Sequence, residues 1–126
     1  MTDQTKQDDR ASVQTLDVIA ELGWEAHRAW EKIIGEPPSL TWDQLSPDRK
    51  RDLLDSVRYL IDHPITSVST QHDHWRATRA SQGWQAGEDR DVAQKLHPNM
   101  VSFDELPFSQ QMKARLWRHI VFAVIG

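Results

Sequence analysis

The chain has 126 residues and a formal net charge of −4, and its acidic and basic side chains are interspersed, without a basic run. That pattern argues against nucleic acid as a partner, because a phosphate backbone is held by a concentrated positive field. The chain contains no cysteine, which excludes disulfides, thiolate metal sites and a cysteine nucleophile and favours a cytoplasmic location. No apolar run is long enough for a membrane-spanning helix, so no membrane partner is expected.

The first half of the chain predicts a leader followed by two helices. Residues 1–11 are mostly polar and lack periodicity, so we expect a disordered leader before a single domain over residues 12–126. Apolar residues spaced three and four apart predict a helix that begins near Ser12 and ends at Gly35. The pair Ser46-Pro47, an N-cap followed by proline, predicts the start of a second helix, and His63-Pro64 predicts its end.

The second half predicts two further helices separated by a long loop. The third helix begins at Ser67 or Ser69 and ends at Gln82, because Gly83 follows. The last helix starts near Pro107 and is apolar nearly all round, so we expect it either to be the most buried helix or to form an oligomer contact. The loop between them is long, and long ordered loops in compact domains commonly carry function.

An internal repeat relates the two halves. The matching residues of the first half are His27, Trp30, Trp42 and Asp43, and those of the second half are His72, Trp75, Phe103 and Asp104. Each half therefore reads as helix, loop, helix, over about residues 12–63 and about residues 67–126. Two such hairpins can bury their apolar stripes against each other, which predicts a mainly α fold of four helices with pseudo-twofold symmetry.

We interpret the repeated residues as structural. Each of His27 and His72 is expected to reach a backbone carbonyl or a carboxylate. Asp43 and Asp104 precede helices and suit the capping of free amide groups. His72 and His74 are two positions apart on a helix and point to different sides, so no metal site is predicted. No catalytic or cofactor-binding motif stands out, so we expect neither enzymatic activity nor a cofactor.

The long loop carries the candidate ligand-binding residues. Trp84 follows a glycine and offers a flat face for stacking on a base, and Arg90 and Lys95 are suited to phosphate groups. His97 precedes Pro98, which restricts it to an extended conformation that presents the imidazole ring. The alternatives are that Trp84 fills a gap between the hairpins and that His97 stabilises a turn.

These motifs together resemble the ryanodine-receptor repeat (RyR) domain. The strings that carry the resemblance are His72-x-x-Trp75, Gln82-Gly83-Trp84, Lys95-x-His97-Pro98 and Phe103-Asp104-Glu105-Leu106-Pro107, with His27-Arg28-Ala29-Trp30 and Trp42-Asp43-Gln44-Leu45 similar to compact bacterial and phage versions. The resemblance spans roughly residues 12–125. It implies paired helical repeats with short strands in the loops, no established catalytic residues, and an accessory or sensor module. In microbes the family has been proposed to sense nucleotide-derived signals.

The resulting hypothesis is a noncatalytic RyR-type module that binds a small anionic, nucleotide-derived ligand in the cleft between the hairpins. The family usually continues after Gly83-Trp84 with an aromatic residue and a Gly-Pro pair, whereas this chain has the run Gln85 to Arg90, which predicts a loop of different shape. The alternative function is protein interaction or homo-oligomerisation without a small ligand. The last helix supplies the residues of that interface, which are Trp117, Val121, Phe122 and Ile125.

Overall fold

Four α-helices make up most of the fold. The computed structural model describes the backbone of residues 2–125 and the side chains of residues 16–125. Within that range the helices are α1 (Thr2–Ile33), α2 (Pro47–Asp62), α3 (Val68–Ser81) and α4 (Phe108–Ile125). The strands are β1 (Gln85–Ala86) and β2 (Leu96–His97), and 3₁₀ turns cover Trp42–Gln44 and Phe103–Glu105. With 65% of the residues helical, the predicted mainly α class with four helices and short strands is confirmed.

The predicted start of the first helix near Ser12 is wrong, because the backbone of α1 begins at Thr2. The prediction of a disordered leader concerns residues 1–11, whose side chains lie outside the described range. It stays a prediction. The other predicted helix ends agree with the structure to within a few residues, since α2 follows Ser46, α3 follows Ser67 and α4 follows Pro107. Among the described residues, no helix combines the length and the apolar composition that crossing a membrane requires.

Local chemistry explains where the helices begin and end. The hydroxyl of Ser46 accepts a hydrogen bond from the Arg49 amide at 3.1 Å, and Pro47 fills the first turn of α2. The prediction that Asp43 caps this helix is therefore wrong. Gly35, with a φ of 79°, follows the end of α1 and adopts the left-handed conformation that glycine favours.

Asp104 does not act as a cap either. Neither Asp43 nor Asp104 makes a side-chain hydrogen bond to any residue in the described part of the chain, and both are exposed. Ser102 and Glu105, which flank Asp104, bond to each other instead, with 2.7 Å between Oγ and Oε1. The repeated aspartate therefore marks the turn without satisfying its amides.

The residues group into two compact units by their internal contacts. Residues 1–64 and 116–126 form the first unit, and residues 65–115 form the second. The core of the first unit combines α1, α2 and the end of α4, and its largest fully buried side chains are Ile19, Val57, Leu60 and Val121. A neighbouring cluster contains Trp24, Leu45 and Leu53, and Trp42 and Trp117 pack against both clusters.

Helix α4 is not the most buried helix, so that prediction is wrong. Of its described residues only Val121 is buried, whereas α1 buries Leu16, Ile19, Ala20 and Trp24. The apolar side chains around the rest of α4 are half-buried or exposed. The alternative, that α4 forms an oligomer contact, stays a prediction.

The second unit is built from α3, the strand pair, the 3₁₀ turn at Phe103 and the start of α4. Its buried residues are Gln71, His72, Phe103 and Leu106. Gln71 donates from Nε2 to the Ala114 carbonyl at 2.9 Å, which ties α3 to the start of α4. The two strands pair in parallel, with Gln85 opposite Leu96 and Ala86 opposite His97.

The sequence repeat has a local structural counterpart in the two 3₁₀ turns. Thr41 has φ and ψ of −67° and 161°, and its counterpart Ser102 has −63° and 154°. Leu45 and Leu106, which end the turns, have values of −70° and 143° against −72° and 141°, and both are buried. The same sequence pattern therefore gives the same turn twice. The pseudo-twofold relation between whole hairpins stays a prediction.

Candidate functional site

Five rings of the second unit follow one another from its core to its surface. The His72 ring stacks on Trp75 with centroids 5.4 Å apart and meets Phe103 edge-on at 6.0 Å. His97 in turn lies edge-on to Trp75 at 5.4 Å and to Trp84 at 6.2 Å. We call these five residues the aromatic chain. Phe103 and His72 are buried, whereas Trp75, His97 and Trp84 are half-buried.

Hydrogen bonds fix the two histidines of the aromatic chain. His72 donates from Nε2 to the Val101 carbonyl at 2.8 Å, and burial of its ring holds the pKa of His72 below the ordinary value of 6.5. His97 accepts at Nδ1 from the Asn99 amide, 3.0 Å away. The Asn99 side chain donates to Gln110 at 2.9 Å and thereby anchors this turn to α4. These hydrogen bonds therefore hold the loop that follows His97 against both α3 and α4.

Two cations accompany the indole of Trp84. The Arg79 guanidinium lies 5.4 Å from the centroid of the Trp84 ring, and its Nη1 donates to the side chain of Gln82 at 3.2 Å. The Lys95 ammonium donates to the Gln82 carbonyl at 2.6 Å. These cations therefore meet at the end of α3, where Gly83 turns the chain with a φ of 94°.

The structure brings together three of the four predicted ligand-binding residues. Trp84 and His97 are in ring contact, and the Gln85 amide beside Trp84 donates to the Lys95 carbonyl at 2.9 Å. Arg90 is exposed, and no contact within the described residues joins it to the other three. Sequence reasoning did not select Arg79, although its position five residues before Trp84, at the end of a predicted helix, was the available signal.

A shallow surface depression of about 350 Å³ lies elsewhere on the second unit. Asp73, Arg76, Ala77, Ala80 and Met100 line it, and Arg76 is 3.6 Å from Asp73. None of the four predicted ligand-binding residues lines this depression. The aromatic and cationic surface formed by Trp84, His97, Arg79 and Lys95, which we call the patch, is therefore separate from this depression.

In the first unit, side chains of α1 hold the loop that follows that helix. Trp24 donates from Nε1 to the Leu40 carbonyl at 2.7 Å, and Arg28 donates from Nε to the Ser39 carbonyl at 3.0 Å. Glu31 accepts from the Ser39 amide at 3.0 Å and from the Ser39 hydroxyl at 2.8 Å. His27 stacks on Trp24, with centroids 5.1 Å apart, and its Nε2 lies 3.5 Å from the Glu31 carboxylate.

The hydrogen bonds and the low pKa of the Glu31 carboxylate indicate a structural role. Burial alone raises its pKa, but hydrogen bonds from His27 and from the amide and hydroxyl of Ser39 outweigh it and lower the pKa to about 2. A carboxylate with so low a pKa is a poor proton acceptor at neutral pH. The Ser39 hydroxyl donates to Glu31 and not to His27, so this trio lacks the serine–histidine contact of a nucleophile and its base.

The remaining predicted residues also lie in the first unit. Trp30 and Trp42 are half-buried, and Lys50 lies 5.5 Å from the centroid of the Trp42 ring. Val121 is fully buried, whereas Trp117 is half-buried and packs against the core. Phe122 is half-buried beneath the Arg118 guanidinium, and Ile125 is exposed. Among the described residues, no group of three histidine, aspartate or glutamate side chains is placed to hold a metal ion.

The second unit is thus a small helical scaffold that presents an aromatic and cationic patch on an ordered loop, an arrangement suited to binding. A family model, the RyR domain, matches residues 61–121, which is a little under half of the chain. The match includes all five members of the aromatic chain and indicates a binding or interaction module. It confirms the RyR resemblance for this part, while the resemblance of residues 12–60 stays a prediction. No curated protein gives a significant match.

Proposed function

We propose that the chain is a noncatalytic RyR-type binding module that takes a small anionic, nucleotide-derived ligand at the patch around Trp84. One observation carries the proposal: the Trp84 ring is half-buried yet held in place by His97 and Arg79. A side chain that is already held loses little conformational freedom when a planar group stacks on it. The RyR domain match supports a binding role of this kind.

The charges of the patch favour an anion. Arg79 and Lys95 both donate to Gln82, two residues before Trp84, and Arg90 is a further exposed cation on the loop that carries Lys95. Phosphate oxygens accept charge-assisted hydrogen bonds from such groups. A stacked base contributes only about 1–3 kcal/mol, whereas micromolar affinity requires about 8 kcal/mol. The ligand must therefore use the cations as well as the ring.

Isothermal titration against a panel of cyclic and ADP-ribose-type nucleotides tests the proposal. We expect binding to at least one member, a loss of affinity of roughly tenfold or more in Trp84→Ala, and a weaker loss in Lys95→Met. Binding by a phosphate-bearing ligand should also weaken as salt is raised, since the cations are exposed or half-buried. No binding to any member, or equal affinity in Trp84→Ala, would contradict it.

Matched variants separate loss of a contact from loss of the fold. Phe108 is an aromatic residue of the same unit, 71% exposed and outside the patch, so Phe108→Ala should bind like the unchanged protein. Arg58→Gln removes an exposed arginine from α2 and serves as the control for Lys95→Met. Thermal melting of each variant shows whether it is folded at the titration temperature.

A second candidate function is protein interaction or homo-oligomerisation through the end of α4. The supporting observation is that Val124 and Ile125 are each 41% exposed, next to the half-buried Phe122. Because Val121 is fully buried, this surface is narrower than the sequence predicted. Light scattering of Ile125→Glu, with Ile65→Glu as a control at a site 98% exposed, tests it. An oligomer lost only in Ile125→Glu would support this function.

A further inference from the structure

Helix α1 carries a second apolar stripe that its own unit leaves uncovered. Val18, Leu22 and Ile33 are exposed by 54%, 47% and 73%, and Ala29, between them, is exposed as well. Their spacings of four, seven and four residues align them along one side of the helix, over about 22 Å at 1.5 Å per residue. Packing within the first unit uses only the buried stripe of α1, so the fold of that unit does not require the exposed stripe.

The two stripes lie on different sides of α1. The core side carries Leu16, Ile19, Ala20 and Trp24, all of which are buried. At 100° per residue the exposed stripe lies roughly 145° around the helix from these residues. The exposed stripe is therefore directed away from α2 and the end of α4, which form the core with α1.

The charged residues along one edge of the exposed stripe are acidic in its first half and basic in its second half. Asp17, Glu21 and Glu25 precede the midpoint, whereas Arg28 and Lys32 follow it. Arg28 and Glu25 pair with each other at 2.8 Å. Asp17, Glu21 and Lys32 are exposed and make no ion pair with any residue that the structure describes. Such an edge is complementary to itself when a second helix of the same sequence runs in the opposite direction.

We propose that α1 docks against α1 of a second copy of this chain in an antiparallel, twofold-symmetric pair. Val18 then lies opposite Ile33 of the second copy, and Leu22 lies opposite Ala29. Each pair therefore places a larger side chain against a smaller one. Glu21 of each copy faces Lys32 of the other along the same edge. In a parallel pair this edge would instead face the opposite edge of the other stripe, which carries Ala26 and Trp30, so the charges favour the antiparallel arrangement.

Charge exchange gives the sharpest test of this pairing. We expect sedimentation equilibrium of the full chain to show a concentration-dependent dimer. Glu21→Lys or Lys32→Glu alone should weaken the dimer about tenfold, since each introduces two repulsive contacts by symmetry. The double variant with both substitutions should restore the dimer. In a parallel pair neither single change would weaken association selectively, and the double change would restore nothing.

Apolar variants locate the contact on α1. Leu22→Glu should give a monomer at concentrations where the unchanged chain is a dimer, whereas Val92→Glu, at a site 63% exposed on the second unit, should not. Circular dichroism checks that each variant keeps its helices. A chain that stays monomeric at high concentration overturns the proposal. A dimer that persists in Leu22→Glu but disappears in Ile125→Glu also overturns it and assigns the contact to α4.

Discussion

The stability of the first unit should depend on pH through Glu31. The carboxylate has a pKa of about 2 in the folded chain against an ordinary 4.5, because hydrogen bonds from His27 and Ser39 outweigh the effect of burial. A lowered carboxylate pKa contributes stability above the ordinary value, and that stability is lost as pH falls toward the folded value. The relevant window therefore runs from pH 4.5 down to about 2.

The size of the effect follows from the shift. At 1.36 kcal/mol per pKa unit, the contribution at pH 7 is at most about 3 kcal/mol, and roughly 2 kcal/mol of it is lost by pH 3. Glu31→Gln keeps the size of the side chain but removes the charge, so it should destabilise the protein by up to about 3 kcal/mol at pH 7. The difference between the two proteins should shrink as the pH is lowered.

Urea denaturation of the unchanged protein and of Glu31→Gln, at several pH values between 7 and 3, measures this difference. Asp55→Asn is the matched control, because Asp55 is an exposed carboxylate on α2 of the same unit and makes no ion pair with a described residue. It should follow the unchanged protein at every pH. A gap between Glu31→Gln and the unchanged protein that is the same at pH 3 and pH 7 would refute the role assigned to the charge.

Three further substitutions test the packing and the loop. A Cβ at Gly23 would lie 2.6 Å from the Trp117 ring, so Gly23→Ala should destabilise the first unit by about 1–3 kcal/mol, and an unchanged melting temperature would show that the two helices are not in close contact. Gly83 has a φ of 94°, so Gly83→Ala should cost about 1–2 kcal/mol, measured by urea denaturation, and a neutral result would mean that the turn relaxes. Burial lowers the pKa of His72, so the unfolded chain takes up the proton first and stability should fall as pH drops below 6.5. His72→Gln should flatten this decline in urea titrations between pH 8 and pH 5.5, and equal slopes in both proteins would contradict the assignment.

Much of the fold could be predicted because its signals are local. Ser46-Pro47 predicts the start of α2 and Gly83 predicts the end of α3, in each case from the chemistry of one or two residues. The structure has the helix ends at these positions. The burial of α4 was overestimated, because composition alone does not show how many neighbours a helix has. Trp24, which is among the most buried residues of α1, was not among the residues singled out from the sequence.

The candidate site was predictable only in part. Trp84, Lys95 and His97 lie close together because the strand pair joins residues 85–86 to residues 96–97. In the sequence, only the glycines of this loop indicate that its two ends approach each other. Arg79 was missed because its position over Trp84 depends on how the chain turns after α3. Glu31 was missed for a related reason: its partner Ser39 lies in a loop whose path no periodicity describes.

The two halves hold equivalent loops by different means, and this difference bears on which loop is suited to binding. Leu40 and Val101 each lie two residues before the first residue of a 3₁₀ turn, and each carbonyl accepts a ring N–H, from Trp24 in one half and from His72 in the other. In the first half a buried carboxylate adds two hydrogen bonds to the same loop. In the second half, ring contacts connect the helix to the rest of the loop. The first half therefore uses its aromatic and charged side chains to fix the backbone of its loop, whereas the second half holds the half-buried Trp84 ring in place through ring and cation contacts and leaves part of it accessible. A ring that is already held and partly accessible is suited to stacking on a ligand.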